Sequence, residues 1–137
     1  YVTNIYYTGE SAYCYHREEV SRVTRIKKFP EIYFNNLSFL RDKLERLIKM
    51  YDMDIKYINA LNIDHVESLY NYTSDLMMLK LCTPKRKELV SKEIQRLKIN
   101  CSDASRKKKI KYELLLHENW ITIYILAILR KIYLRLK

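Results

Sequence analysis

The sequence predicts an all-α protein, a single bundle of about five helices preceded by an extended N-terminal arm. The chain has only one glycine in 137 residues, and glycine supplies the positive φ angles of tight hairpins and phosphate-cradling loops. Apolar residues also recur every three or four positions, the spacing of one helix face. These observations disfavour a multi-hairpin β fold and exclude a P-loop or dinucleotide fingerprint. A hydrophobic fraction of 48% favours one folded domain, 1–137, over a disordered basic tail.

The first half of the chain predicts an arm and two helices. Residues 1–10 are β-branched and aromatic up to Thr8-Gly9, which predicts an extended arm. A helix from about 12 to 28 follows, with Ser11 as its N-cap and Pro30 as its stop. The strongest periodicity predicts a long amphipathic helix from about 33 to 60. Its apolar positions are Leu37, Leu40, Leu44, Leu47, Ile48, Tyr51, Ile55 and Ile58.

The second half predicts three more helices. One runs from about 63 to 82, and Thr83-Pro84, a capping hydroxyl followed by proline, opens another from about 84 to 99. The last runs from about 103 to 136, capped by Ser102 or Asp103. It contains a nearly unbroken apolar run from Trp120 to Leu129, shorter than the roughly 20 residues that span a bilayer. We expect this run to form the centre of the bundle, the alternative being a segment that enters an interface.

The residues that usually carry catalysis show no working arrangement. His117-Glu118 lacks the second histidine of a zinc-protease helix, because position 121 is isoleucine. Cys14 and His16 would face apart on a helix. We therefore predict no enzyme, no cofactor, no metal site and no small-molecule substrate. The cysteines show no C-x-x-C spacing, and their pairing stays open: Cys14, Cys82 and Cys101.

Positive charge is the strongest functional signal. The chain carries 26 Lys+Arg against 16 Asp+Glu, a net charge of +10, which favours an anionic partner. The cations gather at predicted helix ends, including two helix starts where the macrodipole opposes them. An ordinary solubilising surface is the plain alternative. The predicted anionic-surface-binding residues are Arg22, Arg25, Lys27, Lys28, Lys85, Arg86, Lys87, Arg106, Lys107, Lys108, Lys109, Arg130, Lys131, Arg135 and Lys137.

The last predicted helix joins apolar and basic residues, as do helices that lie in a membrane interface. Its predicted membrane-contact residues are Trp120, Ile121, Tyr124, Leu126, Leu129 and Tyr133. The leading prediction is a secreted, non-enzymatic protein that binds and perturbs an anionic membrane or an extracellular glycoprotein surface. The alternative is a nucleic-acid-binding subunit of a larger assembly, in which cations contact phosphates and tyrosines stack on bases. A homodimer is compatible with either.

A chain that begins at Tyr1 instead of Met is interpreted as a fragment or as the product of processing. Together with the length, the basic excess, the thirteen tyrosines, the single glycine and the helical plan, this resembles the abalone sperm lysin and sperm 18-kDa protein family. The resemblance implies a secreted acrosomal protein that acts without catalysis, on the egg coat or in fusion of sperm and egg membranes. The sequons at Asn36, Asn71 and Asn100 matter only in a secreted chain.

A second resemblance covers only the end of the chain. Trp120-Ile121-Thr122, followed by residues 128–133, is similar to the last helix of type I interferons. That resemblance implies a helical cytokine, a third class of function.

Overall fold

The computed structural model describes residues 21–102 and 104–136, without the side chain of Arg135. Over these residues the protein is all-α, with six helices and no strand, so the predicted fold class is confirmed. The predicted arm at 1–10 and the predicted helix residues 12–20 lie outside the described residues. The helices are α1 (Arg22–Lys28), α2 (Pro30–Met50), α3 (Lys56–Met78), α4 (Pro84–Arg96), α5 (Arg106–Leu116) and α6 (Trp120–Arg135).

α3 is the central helix, and each of the other five described helices packs against it. Tyr72 of α3 fixes the start of α2, because its hydroxyl donates a 3.0 Å hydrogen bond to the Pro30 carbonyl and its ring stacks on that of Tyr33. Every described helix contributes at least one side chain to a common hydrophobic cluster. One member from each helix, in chain order, is Ile26, Phe34, Leu69, Ile94, Leu115 and Ile123.

The prediction of one helix from about 33 to 60 is wrong, because the chain turns between α2 and α3. Asp52 has a left-handed φ of 49°, and the amide of Met53 donates back to the carbonyl of Ile48 at 3.0 Å, which closes the end of α2. The Asp54 carboxylate then accepts a 2.9 Å hydrogen bond from the amide of Lys56. This contact satisfies a free N–H group at the start of α3.

The prediction of one helix from about 103 to 136 is also wrong. α5 begins after Ser105, whose hydroxyl accepts from the amide of Lys108, so Ser105 replaces the predicted cap. α5 ends where Glu118 takes a left-handed φ of 52°. Asn119 then caps α6, since its side chain accepts from the amide of Thr122 at 3.2 Å.

Several other helix ends differ from the prediction by a few residues. Ser21 is the N-cap of α1, so no continuous helix passes through this position. Pro30 opens α2 as its first residue instead of only stopping the helix before it. α3 begins and ends earlier than the predicted 63–82. The predicted start of α4 is confirmed, with the Thr83 side chain as cap, but the helix ends at Arg96.

The second half of α2 turns its apolar stripe outward. Arg41 is buried, and its guanidinium donates to Asn62 Oδ1 of α3 at 2.9 and 2.6 Å. This contact rotates the predicted apolar face away from α3. Five of its eight members are exposed as a result: Leu40, Leu44, Leu47, Tyr51 and Ile55.

Candidate functional site

α6 buries only a narrow stripe. Ile123 and Ala127 are its fully buried residues, and they face the rest of the bundle. The expectation that this apolar run forms the centre of the bundle is therefore wrong, because α3 occupies that place. Large apolar side chains cover the rest of the helix and its C-cap, and we call them the apolar surface of α6. They are Ile121, Tyr124, Ile125, Leu126, Leu129, Ile132, Tyr133, Leu134 and Leu136.

The helical repeat orders this surface. With about 3.6 residues per turn, Ile121, Ile125, Leu129 and Ile132 fall on one side, opposite the buried stripe. No Lys, Arg, Asp or Glu falls between these four positions on the helical wheel, and Arg135 falls about 40° from Ile121. Residues 130 and 131 follow Leu129 directly and fall on the two edges of the apolar surface. Both are exposed cations, so two of the four cations predicted near the end of this helix lie beside its exposed apolar side chains.

Arg130 and Lys131 are free of internal partners within the part of the chain that the structure describes. Neither side chain makes a hydrogen bond or an ion pair there. The side chain of Arg135 is not described, and Lys137 lies outside the described residues. Two exposed, uncompensated cations thus remain beside the apolar surface of α6.

Several cations from the other predicted clusters instead hold the bundle together. Arg86 of α4 donates to the Glu31 carboxylate of α2 at 2.9 and 2.7 Å and to the Leu81 carbonyl at 2.6 Å. The hydrogen bonds from Arg86 to the Glu31 carboxylate lower the pKa of Glu31. Lys108 of α5 contacts Asp64 of α3 at 2.6 Å. Such cations are positioned by acids of neighbouring helices and are less available to an external anion.

Three further predicted cations also make internal contacts. Arg22 donates to Asp75 at 2.8 Å, Lys109 donates to the Ser102 carbonyl at 3.1 Å, and the Lys87 ammonium lies 5.8 Å from the centre of the Trp120 ring. Arg25 is exposed on α1. The remaining predicted cations are exposed and have no side-chain hydrogen bond or ion pair to described residues: Lys27, Lys28, Lys85, Arg106 and Lys107.

The sequence prediction of membrane-contact residues identified only part of the apolar surface of α6. Five of the six are exposed, whereas Trp120 is half-buried and packs against the core cluster. The prediction missed Ile125, Ile132, Leu134 and Leu136. The three-to-four-residue spacing of positions 121, 125, 129 and 132 could have identified the first two, had the apolar run not been assigned to the core.

The described histidines each contact a glutamate, and the described cysteines are half-buried thiols. His65 is buried and contacts Glu93 Oε1 at 2.8 Å, whereas His117 is exposed and contacts Glu113 at 3.1 Å. Cys82 and Cys101 are half-buried free thiols, and burial raises the pKa of both. Cys14 and His16 lie outside the described residues. No group of three or more His, Cys, Asp or Glu suited to a metal ion occurs within 21–102 and 104–136.

The three sequons differ in accessibility. Asn36 and Asn100 are exposed, whereas Asn71 is half-buried in α3. The threonine of the Asn71 sequon, Thr73, lies in the core and donates to the Leu69 carbonyl at 2.9 Å. The serine of the Asn36 sequon, Ser38, has a buried hydroxyl within α2. In the folded chain, the Asn100 sequon is therefore the most accessible of the three.

Over the described residues, no helix has the length and apolar character needed to cross a membrane. Comparison with protein families, with curated proteins and with solved structures found no match.

Proposed function

We propose that this protein binds anionic lipid surfaces through α6, without catalysis, and perturbs the leaflet that it contacts by inserting the apolar surface of that helix. One observation carries the proposal. α6 and its C-cap expose nine large apolar side chains, and two cations that lack partners among the described residues, Arg130 and Lys131, lie at the edges of this surface. Interfacial helices combine these features, with apolar side chains at the acyl boundary and cations near the headgroups.

The size of the exposed surface supports a binding role. Scattered apolar residues are normal on protein surfaces, but contiguous patches of more than a few hundred Å² mark sites of interaction. Apolar surface removed from water contributes about 25 cal/mol per Å². At roughly half exposure, residues such as Leu129 (54% exposed) and Ile125 (50%) would each contribute about 1 kcal/mol on insertion.

Arg130 and Lys131 supply the preference for anionic lipid. Long basic side chains can extend from the edge of an inserted helix to the headgroups while their methylene stems stay against apolar surface. Each cation near an anionic leaflet contributes about 1 kcal/mol. Because both lack partners among the described residues, neither must break an ion pair to any of those residues to bind lipid.

Sedimentation with large vesicles tests the proposal. We expect the chain to bind phosphatidylcholine vesicles containing phosphatidylglycerol and to bind pure phosphatidylcholine vesicles weakly. Replacing Ile125 and Leu129 with serine should weaken binding by about tenfold or more, since each loses about 1 kcal/mol of insertion energy. Leu44 and Leu47 of α2, exposed at 38% and 46%, provide the matched control, and their replacement with serine should leave binding within about twofold.

Three outcomes would contradict the proposal: no binding to anionic vesicles, equal loss in the α2 and α6 variants, or preferential binding of a single-stranded oligonucleotide that the α6 variant retains in full. The last would support the nucleic-acid alternative. Secretion, and the resemblance to the sperm lysin family, stay predictions that this experiment does not address.

A further inference from the structure

A crevice of about 370 Å³ opens between α3, α5 and α6. We call its apolar lining residues the apolar wall and its polar lining residues the polar wall. Ile110 and Leu114 of α5 and Leu126 of α6 form the apolar wall. Leu126 also belongs to the apolar surface of α6, so the crevice adjoins the proposed lipid-contact surface. The polar wall consists of Glu67, Tyr70, Asn71, Lys107, Lys111 and Arg130.

The polar wall contains unpaired hydrogen-bond donors. Tyr70, Asn71, Lys107 and Arg130 line the crevice, and their side chains carry a hydroxyl, an amide, an ammonium and a guanidinium group. None makes a side-chain hydrogen bond or an ion pair to any residue that the structure describes. The residue Tyr70 is only 8% exposed. Burial raises the pKa of its hydroxyl more than nearby Arg130 lowers it, so this group keeps its proton and can donate.

The charge of the crevice is positive. Its one carboxylate, Glu67, contacts the Lys111 ammonium directly and has Lys108 at 3.8 Å on its other side. The hydrogen bond from Lys111 lowers the pKa of Glu67, which is therefore ionised and matched by Lys111. The Lys111 ammonium also lies 5.3 Å from the centre of the Tyr70 ring. Lys107 and Arg130 are left with no opposing charge on the crevice wall.

We propose that this crevice binds a phosphate monoester, with Arg130 and Lys107 on its charged oxygens and the Tyr70 hydroxyl donating a third hydrogen bond. Unpaired donors and two uncompensated cations suit a group that carries up to two negative charges and several acceptor oxygens. The adjoining apolar wall suits a phosphate with acyl chains attached, as in phosphatidic acid. This inference deepens the proposed function and rests on it for the lipid source of the phosphate. A soluble phosphate monoester presents the same chemistry.

The lipid arm of the test compares two vesicle types that carry phosphatidic acid or phosphatidylglycerol and have matched zeta potentials. We expect the chain to bind the phosphatidic acid vesicles about fivefold tighter or more, because charge-assisted hydrogen bonds favour the monoester. Arg130→Gln should remove this preference. Lys131→Gln is the matched control, because it removes the same charge at the neighbouring position. This variant should bind both vesicle types more weakly and still prefer phosphatidic acid. Equal binding of both vesicle types by the unaltered chain would overturn the assignment of phosphatidic acid as the ligand and leave the proposed function standing.

The soluble arm measures amide chemical shifts during titration with glycerol 3-phosphate. We expect saturable shifts at residues 70, 71, 107 and 130. Tyr70→Phe should weaken the affinity obtained from this titration by about threefold or more, since the variant loses one hydrogen bond. Shifts without vesicle binding would support a crevice for a soluble ligand and contradict the membrane proposal. Absence of shifts at these residues, together with equal binding of the two vesicle types, would contradict the crevice.

Discussion

At the scale of the residue, the least expected feature is a chain of polar side chains that joins α2, α3 and α4. Arg41 of α2 donates to Asn62 of α3 and contacts Asp42. Arg96 of α4 bridges Asp42 and Glu93 at 2.9 and 2.6 Å, and Glu93 in turn contacts His65 at 2.8 Å. Because each of these groups has a partner, the network can be enclosed without the large penalty of an unpaired buried charge.

Glu93 should make stability depend on pH. Burial alone would raise the pKa of this carboxyl, but hydrogen bonds from His65 and Arg96 outweigh burial and lower its pKa to about 2. A carboxyl with a folded-state pKa below its usual value stabilises the fold above that usual value, and the stabilisation disappears as pH falls. We therefore expect the free energy of unfolding to fall by about 3 kcal/mol between pH 5 and pH 2 from this group.

Urea unfolding at several pH values checks this expectation. Glu93→Gln should lower the free energy of unfolding at pH 7 and flatten its fall below pH 5. Glu88→Gln removes an exposed carboxylate of the same helix. It should leave the free energy of unfolding at pH 7 and its fall below pH 5 nearly unchanged, because exposed ion pairs contribute little. An unaltered pH profile in Glu93→Gln would show that the network does not stabilise the fold in this way.

At the scale of the element, three helices end in the same way. α2, α3 and α5 each close with the amide two residues past the C-cap bonded to a carbonyl five residues earlier, at 2.8 to 3.0 Å. The residue before that amide is left-handed each time, and none is glycine: Asp52, Lys80 and Glu118. A left-handed conformation costs such residues about 1 kcal/mol that glycine avoids. These helix ends are therefore local sites of strain.

Replacing Lys80 with glycine should stabilise the protein. Its φ of 59° is unfavourable for lysine, its side chain is exposed, and the relief should exceed the added flexibility of the unfolded chain. We expect a gain of about 0.5 to 1 kcal/mol and a higher Tm by calorimetry. Lys80→Ala is the control, since alanine keeps the Cβ atom and should give no gain. Equal effects of alanine and glycine would show that loss of the lysine side chain, and not relief of strain, sets the result.

The same helix ends explain which parts of the fold the sequence could predict. The start at Thr83-Pro84 was predictable because proline and a capping hydroxyl mark it chemically. The ends at Asp52 and Glu118 carry no such mark, so each pair of helices was predicted as one. The periodicity of apolar residues distinguishes the two faces of a helix, but it does not show which face packs against the rest of the protein. In α2, the partner of Arg41 is Asn62 of the next helix, which no local pattern indicates.

At the scale of the whole molecule, the structure sorts the excess positive charge into two groups. Cations such as Arg22, Arg86 and Lys108 contact acids more than forty positions away in the chain, so the sequence could not separate them from the others. Arg130 and Lys131 have no such partner among the described residues. Other exposed cations, such as Lys27 and Lys85, also lack such partners among these residues, but Arg130 and Lys131 adjoin the apolar surface of α6. The net charge therefore predicts an anionic partner, and the position of these two cations beside exposed apolar side chains indicates the side that meets it.

Salt should separate the electrostatic and apolar parts of vesicle binding. Raising the salt concentration from 0.1 to 1 M shortens the screening length from about 10 Å to about 3 Å. We expect the partition coefficient of the chain on anionic vesicles to fall by about tenfold or more, without vanishing, because insertion of the apolar surface is not screened. Lys131→Gln should make this dependence shallower, whereas replacing Ile125 and Leu129 with serine should lower binding by a similar factor at every salt concentration.

Lys43→Gln is the matched charge control for Lys131→Gln. Lys43 is exposed on α2. The substitution removes the same charge from a helix outside the proposed contact surface. If charge acts locally at α6, Lys43→Gln should leave the salt dependence close to that of the unaltered chain. Equal flattening by the two variants would show instead that the net charge of the whole molecule drives binding, and α6 would then contribute only its apolar side chains.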